Sequence, residues 1–388
     1  MVGGASVKRP FWWAGGGAVV LAALVAAWVS LSVKQKAEAP VYHKPVTTTV
    51  NDPVDPGTSL GGTPAPNFTL TNQYGKTFSL SQFRGKVVVL AFVDSQCTTI
   101  CPLTTESMMH ALQMLGPEAA AHVQLVGVNA NPVAIAPKYV KQYSIAHGMM
   151  NSWDFGTASL PQLKAVWSKY HVVSQIVQGA IDHTPALYII DAQGREQELF
   201  LTASQYAAVS PESSVLAQQI ARFLPKGVKV NPLKSATYQP STIGPGSPVQ
   251  VPKVTPSGEQ GTVTMGPGKP QLSVFFASWV SNAKQDLTAL SAYASAPGSP
   301  QVIGVDVATT EPSNSAAQHL LQTMPPLSFP VGIDKTGEVA DGYNVTDLMW
   351  LTLTDGKGHI IWQHDGWLPV QSLKSDVAQA LKAHHVQP

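Results

Sequence analysis

Cys97 and Cys101 are the only two cysteines in the 388-residue chain, and their spacing of four carries the most chemistry in the sequence. The apolar run ending at Val93 predicts a strand, and Pro102 favours the first turn of a helix, so both thiols fall at a strand-to-helix junction. A helix N-terminus presents unpaired N–H groups and a partial positive charge, which favours thiolate over thiol. Positions four apart share one helix face, so the two sulfurs can close a disulfide or converge on one ion. Soft thiolates select Cu(I), zinc or iron–sulfur clusters, and one imidazole added to two thiolates makes a three-donor site suited to copper.

Eleven histidines compete for that third place, so the elements that position them decide among them. Lys86 to Val93 is continuously apolar, as a strand buried on both faces of a parallel sheet would be. A helix follows at about 102–115, a strand at 123–128, helices at about 136–147 and 160–170, a strand at 186–190 closed by Asp191-Ala-Gln-Gly194, and an amphipathic helix at 211–223. Strands alternating with helices predict an α/β fold. His183 lies in Asp182-His183-Thr184-Pro185, just before the strand 186–190, and in a thioredoxin-like sheet that loop faces the cysteine helix. His110 is two turns further along the cysteine helix, while His122, His147 and His171 fall at element ends that this topology keeps elsewhere. Met108 and Met109 recur at core spacing and read as packing.

The run Phe92-Val-Asp-Ser-Gln-Cys97-Thr-Thr-Ile-Cys101-Pro102-Leu-Thr-Thr resembles the CxxxCP motif of the SCO/SenC family. Asp182-His183, followed by Asp191, is similar to that family's single histidine and its following strand. Pro66-Asn-Phe-Thr-Leu70, Gly75-Lys-Thr and Leu80-Ser-Gln-Phe-Arg-Gly-Lys86 resemble entry strands shared by SCO proteins, peroxiredoxins and thioredoxin-like reductases. The resemblance covers about residues 63–225. It implies a thioredoxin-like fold in which Cys97, Cys101 and His183 hold copper, as Cu(I), Cu(II) or both. It also implies delivery to the CuA-bearing subunit of cytochrome c oxidase, with a thiol reductase as a further partner. The alternative on the same residues is a thiol–disulfide oxidoreductase, in which Cys97 attacks a partner disulfide and Cys101 resolves it. Gln96 and Val128-Asn-Ala-Asn131 depart from the family, which more often has His and Val-Asp-Pro there, and Pro185 stands where thioredoxins carry a cis-proline. A peroxiredoxin-type peroxidase is disfavoured because Asp94 to Cys97 lacks the Thr-x-x-Cys arrangement.

A shift of 183 residues aligns Gly85-Lys86 with Gly268-Lys269, Phe92 with Phe275 and Cys97 with Val280, which predicts a tandem duplication. Phe275-Phe-Ala-Ser-Trp279-Val280-Ser-Asn-Ala283 resembles a TlpA/ResA-type thioredoxin motif with Val280 and Ala283 in place of its cysteines, and Met349 falls near the position of its cis-proline. The resemblance implies a redox-silent scaffold or docking module.

Charged residues make up 12 % of the chain and the formal net charge is +1, which excludes nucleic acid as a partner held by charge. Residues 11–33 carry no charge and are long enough to cross a bilayer, with Lys8 and Arg9 before them and Trp12 and Trp13 at the interface position. The expected order is a cytoplasmic N-terminus at 1–10, a transmembrane anchor at 11–33 and a tether at 34–62. A copper-site domain at 63–225, a Pro-rich linker at 226–247 and a degenerate thioredoxin-like domain at 248–388 complete it. Such a chain would be a single-pass protein of the cytoplasmic membrane with its bulk outside, where thiols meet an oxidising medium.

Overall fold

The computed structural model describes residues 54–387 apart from 235 and 239. The Val87–Val93 strand lies at the centre of the amino-terminal half, and all seven of its side chains are buried because helices cover both faces of its sheet. It pairs in parallel with Val123–Asn129 and antiparallel with Ala186–Ile190. Trp153–Gly156 extends the parallel side, and Arg195–Leu201 followed by Thr58–Pro64 extends the other. On one face the cysteine helix, Ile100–Leu115, packs with Val209–Arg222 through Met108, Ala111, Leu115, Leu216 and Ile220. On the other, Leu160–Lys169 brings Leu163, Val166 and Trp167 against Leu90 and Phe92. Each such fully buried aliphatic or aromatic side chain contributes roughly 1.5–3 kcal/mol.

The carboxy-terminal half repeats this strand order. Gln271–Phe276 pairs in parallel with Gln301–Val307 and antiparallel with Trp350–Thr354, with Val331–Asp334 and Ile360–Asp365 beyond them. A hairpin of Val249–Thr255 and Gly258–Met265 closes the edge beside Val331–Asp334. No helix or strand occurs among the described residues of 226–247. The halves share one apolar cluster, in which Leu103, Tyr206 and Val209 meet Phe275, Val305 and Tyr343. Asp341 adds a polar clamp, accepting the backbone N–H groups of Tyr206 at 2.9 Å and Ala207 at 3.0 Å.

Three expectations change. The single-pass membrane anchor is not supported: among the described residues no helix is long and apolar enough to cross a membrane, and the segment 11–33 lies outside them. The tether's last five residues, 58–62, instead belong with Thr63 and Pro64 to an edge strand, Thr58–Pro64, on Arg195–Leu201, held by ladder hydrogen bonds although most of its side chains are exposed; the tether's residues up to 53 are outside the described ones. The peptide bond before Pro185 is trans, and the cis bond among the described residues is Leu348–Met349.

Candidate metal and dithiol site

The central strand delivers its chain to a tight turn at Asp94. Gln96 N donates to Asp94 Oδ1 at 2.8 Å and Cys97 N to the Asp94 carbonyl at 3.1 Å, which turns the backbone back toward the helix. Asn131, at the end of the neighbouring strand, donates to the same Asp94 Oδ1 at 2.7 Å. Cys97 therefore sits in the turn and Cys101 in the helix's first turn, rather than both within the helix.

Cys97 Sγ is surrounded by donors. The Cys101 N–H approaches it at 3.5 Å, the Thr99 hydroxyl lies at 3.2 Å, and the Cys101 thiol donates to it as well. These contacts, the Cys101 thiol foremost, outweigh burial and lower the Cys97 pKa. Cys101 is 1 % exposed, and burial, reinforced by its partner thiol, raises its pKa well above the ordinary thiol value. The pair is thus split into a thiolate-prone, half-buried Cys97 and a buried, proton-holding Cys101.

His183 comes from a two-stranded hairpin, Ser174–Val177 with Ala180–His183. Its tight turn requires positive φ at Gln178 and Gly179, and both adopt it. Ser174, opposite His183 at the hairpin's base, donates its hydroxyl to the Ala130 carbonyl at 2.5 Å and ties the hairpin to the main sheet. His183 Nδ1 lies 3.1 Å from the Thr184 carbonyl, an acceptor, so Nδ1 carries the proton and Nε2 presents a lone pair. That Nε2 is 3.4 Å from Cys101 Sγ. Burial lowers the His183 pKa, which keeps the ring neutral at neutral pH.

Cys101 therefore lies against both of the other residues singled out by spacing and element order, Cys97 and His183. Two sulfurs and one neutral imidazole nitrogen are the soft donor set that suits copper. Among the described residues no three His, Cys, Asp or Glu side chains already enclose a metal position, so an ion seated here needs adjustment of these side chains. His110 lies 3.7 Å from Glu106 on its own helix, and Met108 is fully buried in the core. Sequence reasoning missed the groups behind the site. Tyr143 and Thr105 share a hydroxyl–hydroxyl hydrogen bond of 2.8 Å, and Thr105 Oγ1 donates to the Cys101 carbonyl at 2.9 Å. His147, set aside as an element-end histidine, stacks on Tyr143 with ring centroids 4.3 Å apart.

Fold and site together define a thioredoxin-like α/β domain with a CxxxC pair at a helix start and a histidine facing it. Residues 58–217 match the SCO1/SenC family model. The chain is 27 % identical over 138 residues to the SCO1 protein homolog of Bacillus subtilis (strain 168), covering 33 % of this chain and 68 % of that protein. It is likewise 27 % identical over 149 residues to the mitochondrial protein SCO2 of Saccharomyces cerevisiae, 35 % of this chain and 46 % of that one, so it spans about half the yeast protein's length. The copper-bound structure of ScoI from Bradyrhizobium japonicum is similar at 22 % identity and a TM-score of 0.36, over 41 % of this chain and 99 % of that one.

Proposed function

We propose that the chain is a copper-binding protein of SCO type, which holds copper as cargo between Cys97, Cys101 and His183 and passes it by ligand exchange to the CuA centre of cytochrome c oxidase. The observation that carries this reading is the His183 Nε2 lone pair at 3.4 Å from Cys101 Sγ, with Nδ1 tied to the Thr184 carbonyl. Fixing one ring nitrogen on a carbonyl orients the other as a metal donor. The ring is neutral and Cys97 is thiolate-prone, so Cys101, whose pKa burial raises, is the donor that must give up a proton on binding. Titration of the reduced full chain with Cu(I) against a chromophoric chelator tests it. About one copper per chain is expected, with affinity lowered at least about tenfold by His183→Ala. Equal affinity after that substitution removes the three-donor site.

The split between the thiols also favours a second reading, thiol–disulfide exchange. The Cys97 thiolate would attack one sulfur of a partner disulfide, expelling the other as thiolate. Cys101 would then lose its proton and attack Cys97 Sγ, releasing the partner as a dithiol and leaving a Cys97–Cys101 disulfide. Turnover with a disulfide substrate that survives His183→Ala favours this reading over copper carriage. The carboxy-terminal half is a cysteine-free thioredoxin-like scaffold in either case, supported by its matching strand order and by Val280 and Ala283 at the places of the missing thiols.

A further inference from the structure

Asp94 touches both cysteines through its backbone. Its N–H is directed at Cys101 Sγ at 3.4 Å, and its carbonyl accepts the Cys97 N–H at 3.1 Å. Both bonds come from one residue, so the orientation of that residue sets where the two cysteines stand relative to each other. Its buried side chain fixes that orientation: a single oxygen, Oδ1, accepts the Gln96 N–H at 2.8 Å and the Asn131 side-chain amide at 2.7 Å. The first of these bonds closes the turn on itself, and the second ties it to the neighbouring strand.

Asn131 is itself firmly held. It is buried two residues beyond the strand Val123–Asn129, in the stretch Val128-Asn-Ala-Asn131 that departs from Val-Asp-Pro. Its Oδ1 accepts the N–H groups of Val133 and Ala134, both at 2.7 Å, and its own N–H donates to Asn129 Oδ1 at 3.1 Å. An amide oxygen engaged by two donors leaves Nδ2 as the end that faces Asp94, so the side chain has one orientation that satisfies every partner. Two further bonds join the same segments: Ser95 Oγ donates to the Ala134 carbonyl at 3.4 Å, and Ala130 N to the Val93 carbonyl at 2.9 Å.

We propose that Asn131 is a positioning residue for the dithiol, acting through Asp94: by holding that carboxyl group it fixes the turn whose N–H and carbonyl hold Cys101 and Cys97. This rests on the reading of Cys97 and Cys101 as the working pair. It gives a stretch that supplies no metal donor a task at the site. A turn fixed from the neighbouring strand keeps Cys97 Sγ at the Cys101 amide, 3.5 Å away, before any reaction. Preorganisation of this kind favours the closed Cys97–Cys101 disulfide over the open dithiol.

The test is the dithiol–disulfide equilibrium of the copper-free full chain in glutathione buffers, read by acid quench, alkylation and mass, for Asn131→Ala, Asn131→Asp, Asp94→Ala, Asp94→Asn and the Asn131→Ala/Asp94→Ala pair. Losing the bond between Asn131 and Asp94 should shift the equilibrium constant of Asn131→Ala toward dithiol by about threefold to tenfold. Asp94→Asn, whose amide oxygen still accepts both N–H groups, should stay near the unmodified chain, and the double variant should match Asp94→Ala alone. Asn131→Asp keeps the oxygen that holds Val133 and Ala134 and loses only the donor, so it should shift in the same direction as Asn131→Ala. An unchanged constant in either Asn131 variant, a shift in Asp94→Asn as large as in Asp94→Ala, or shifts that multiply in the double variant would overturn the proposal. Should Asn131→Ala fail to fold, Asn131→Asp decides alone. Failure of the unmodified chain to take up Cu(I), with these shifts intact, would sink the copper reading and leave the positioning role standing.

Discussion

The indole of Trp279, from the carboxy-terminal half, lies against the imidazole of His147, from the amino-terminal half, with ring centroids 4.5 Å apart and planes tilted by 48°. His147 is 2 % exposed, its Nδ1 has no partner, and burial depresses its pKa to about 3, so the ring in this stack is neutral. Through Tyr143 and Thr105 the same stack reaches the carbonyl of Cys101. The residue beside Val280, in the stretch aligned with the cysteine loop, therefore packs behind the turn that carries the real cysteines.

This stack should be measurable as a coupling. Trp279→Ala removes a half-buried indole and should cost about 3 kcal/mol in urea unfolding. In a double-mutant cycle with His147→Ala the two should couple by about 1 kcal/mol, the usual worth of an aromatic pair beyond its buried area. Strict additivity would mean that the rings touch without supporting each other.

The split thiol pair makes a kinetic prediction. The Cys101 thiol is the foremost contact holding the Cys97 pKa down, so Cys101→Ala should raise that pKa. Iodoacetamide should then label Cys97 more slowly at pH 7, while at pH 10, where the thiol ionises regardless, the rates should converge. In the unmodified chain Cys97 should be labelled well before Cys101, which is buried and holds its proton. Mapping the label by peptide mass checks both, and equal labelling of the two would refute the split.

Asp334 carries the pH dependence with the clearest sign. It is 2 % exposed, and burial raises its pKa to about 6 even though it accepts the N–H groups of Gly337 at 2.9 Å and Ala340 at 2.8 Å. A carboxyl raised on folding binds its proton more tightly in the native state. Its stabilisation is then complete below the unfolded value near 4 and is lost as pH rises through about 6. That window is worth about 3 kcal/mol. Subtracting the unfolding free energies of Asp334→Asn from those of the parent should give a difference that declines by this order between pH 4 and 7; a flat difference would mean the carboxyl titrates normally.

How much of this was legible in the sequence depends on where each signal comes from. Ala186–Ile190 coincides with its sequence reading, and Val87–Val93 and Val123–Asn129 differ by one residue at an end, because strands buried on both faces leave uninterrupted apolar runs. The cysteine helix starts at Ile100, two residues before Pro102, since Thr99 caps it without a side-chain bond and so leaves no cap signature. Most of Thr58–Pro64, up to Gly62, reads as tether because an exposed edge strand has no buried face to impose alternation. The hairpin that presents His183 was missed for a related reason: Ile176 and Val177 are exposed, and Gln178-Gly179 lacks the Asn-Gly or Asp-Gly turn signal. His183 itself could be picked out from its place before a buried strand. The contacts of Asp341 and Trp279 across the halves leave no local trace, because they depend on how two separately patterned sheets come together.

That junction can be probed at a single methyl group. Gly337 has φ +76°, and a Cβ there would be driven into the Tyr206 carbonyl group and to 2.7 Å from the amide nitrogen of Ala207, both backbone atoms that cannot rotate away. They belong to the segment that Asp341 clamps, so relief requires the halves to separate locally or the clamp to open. Gly261 is the control: its φ is +74°, but nothing lies within 4 Å of its Cβ position. Alanine at Gly261 should therefore cost only the left-handed strain, about 1–2 kcal/mol. Alanine at Gly337 should cost that strain plus the steric clash, about 2 kcal/mol more. Urea unfolding of the two variants side by side isolates the clash, and equal losses would mean that the contact between Gly337 and Tyr206 yields without cost.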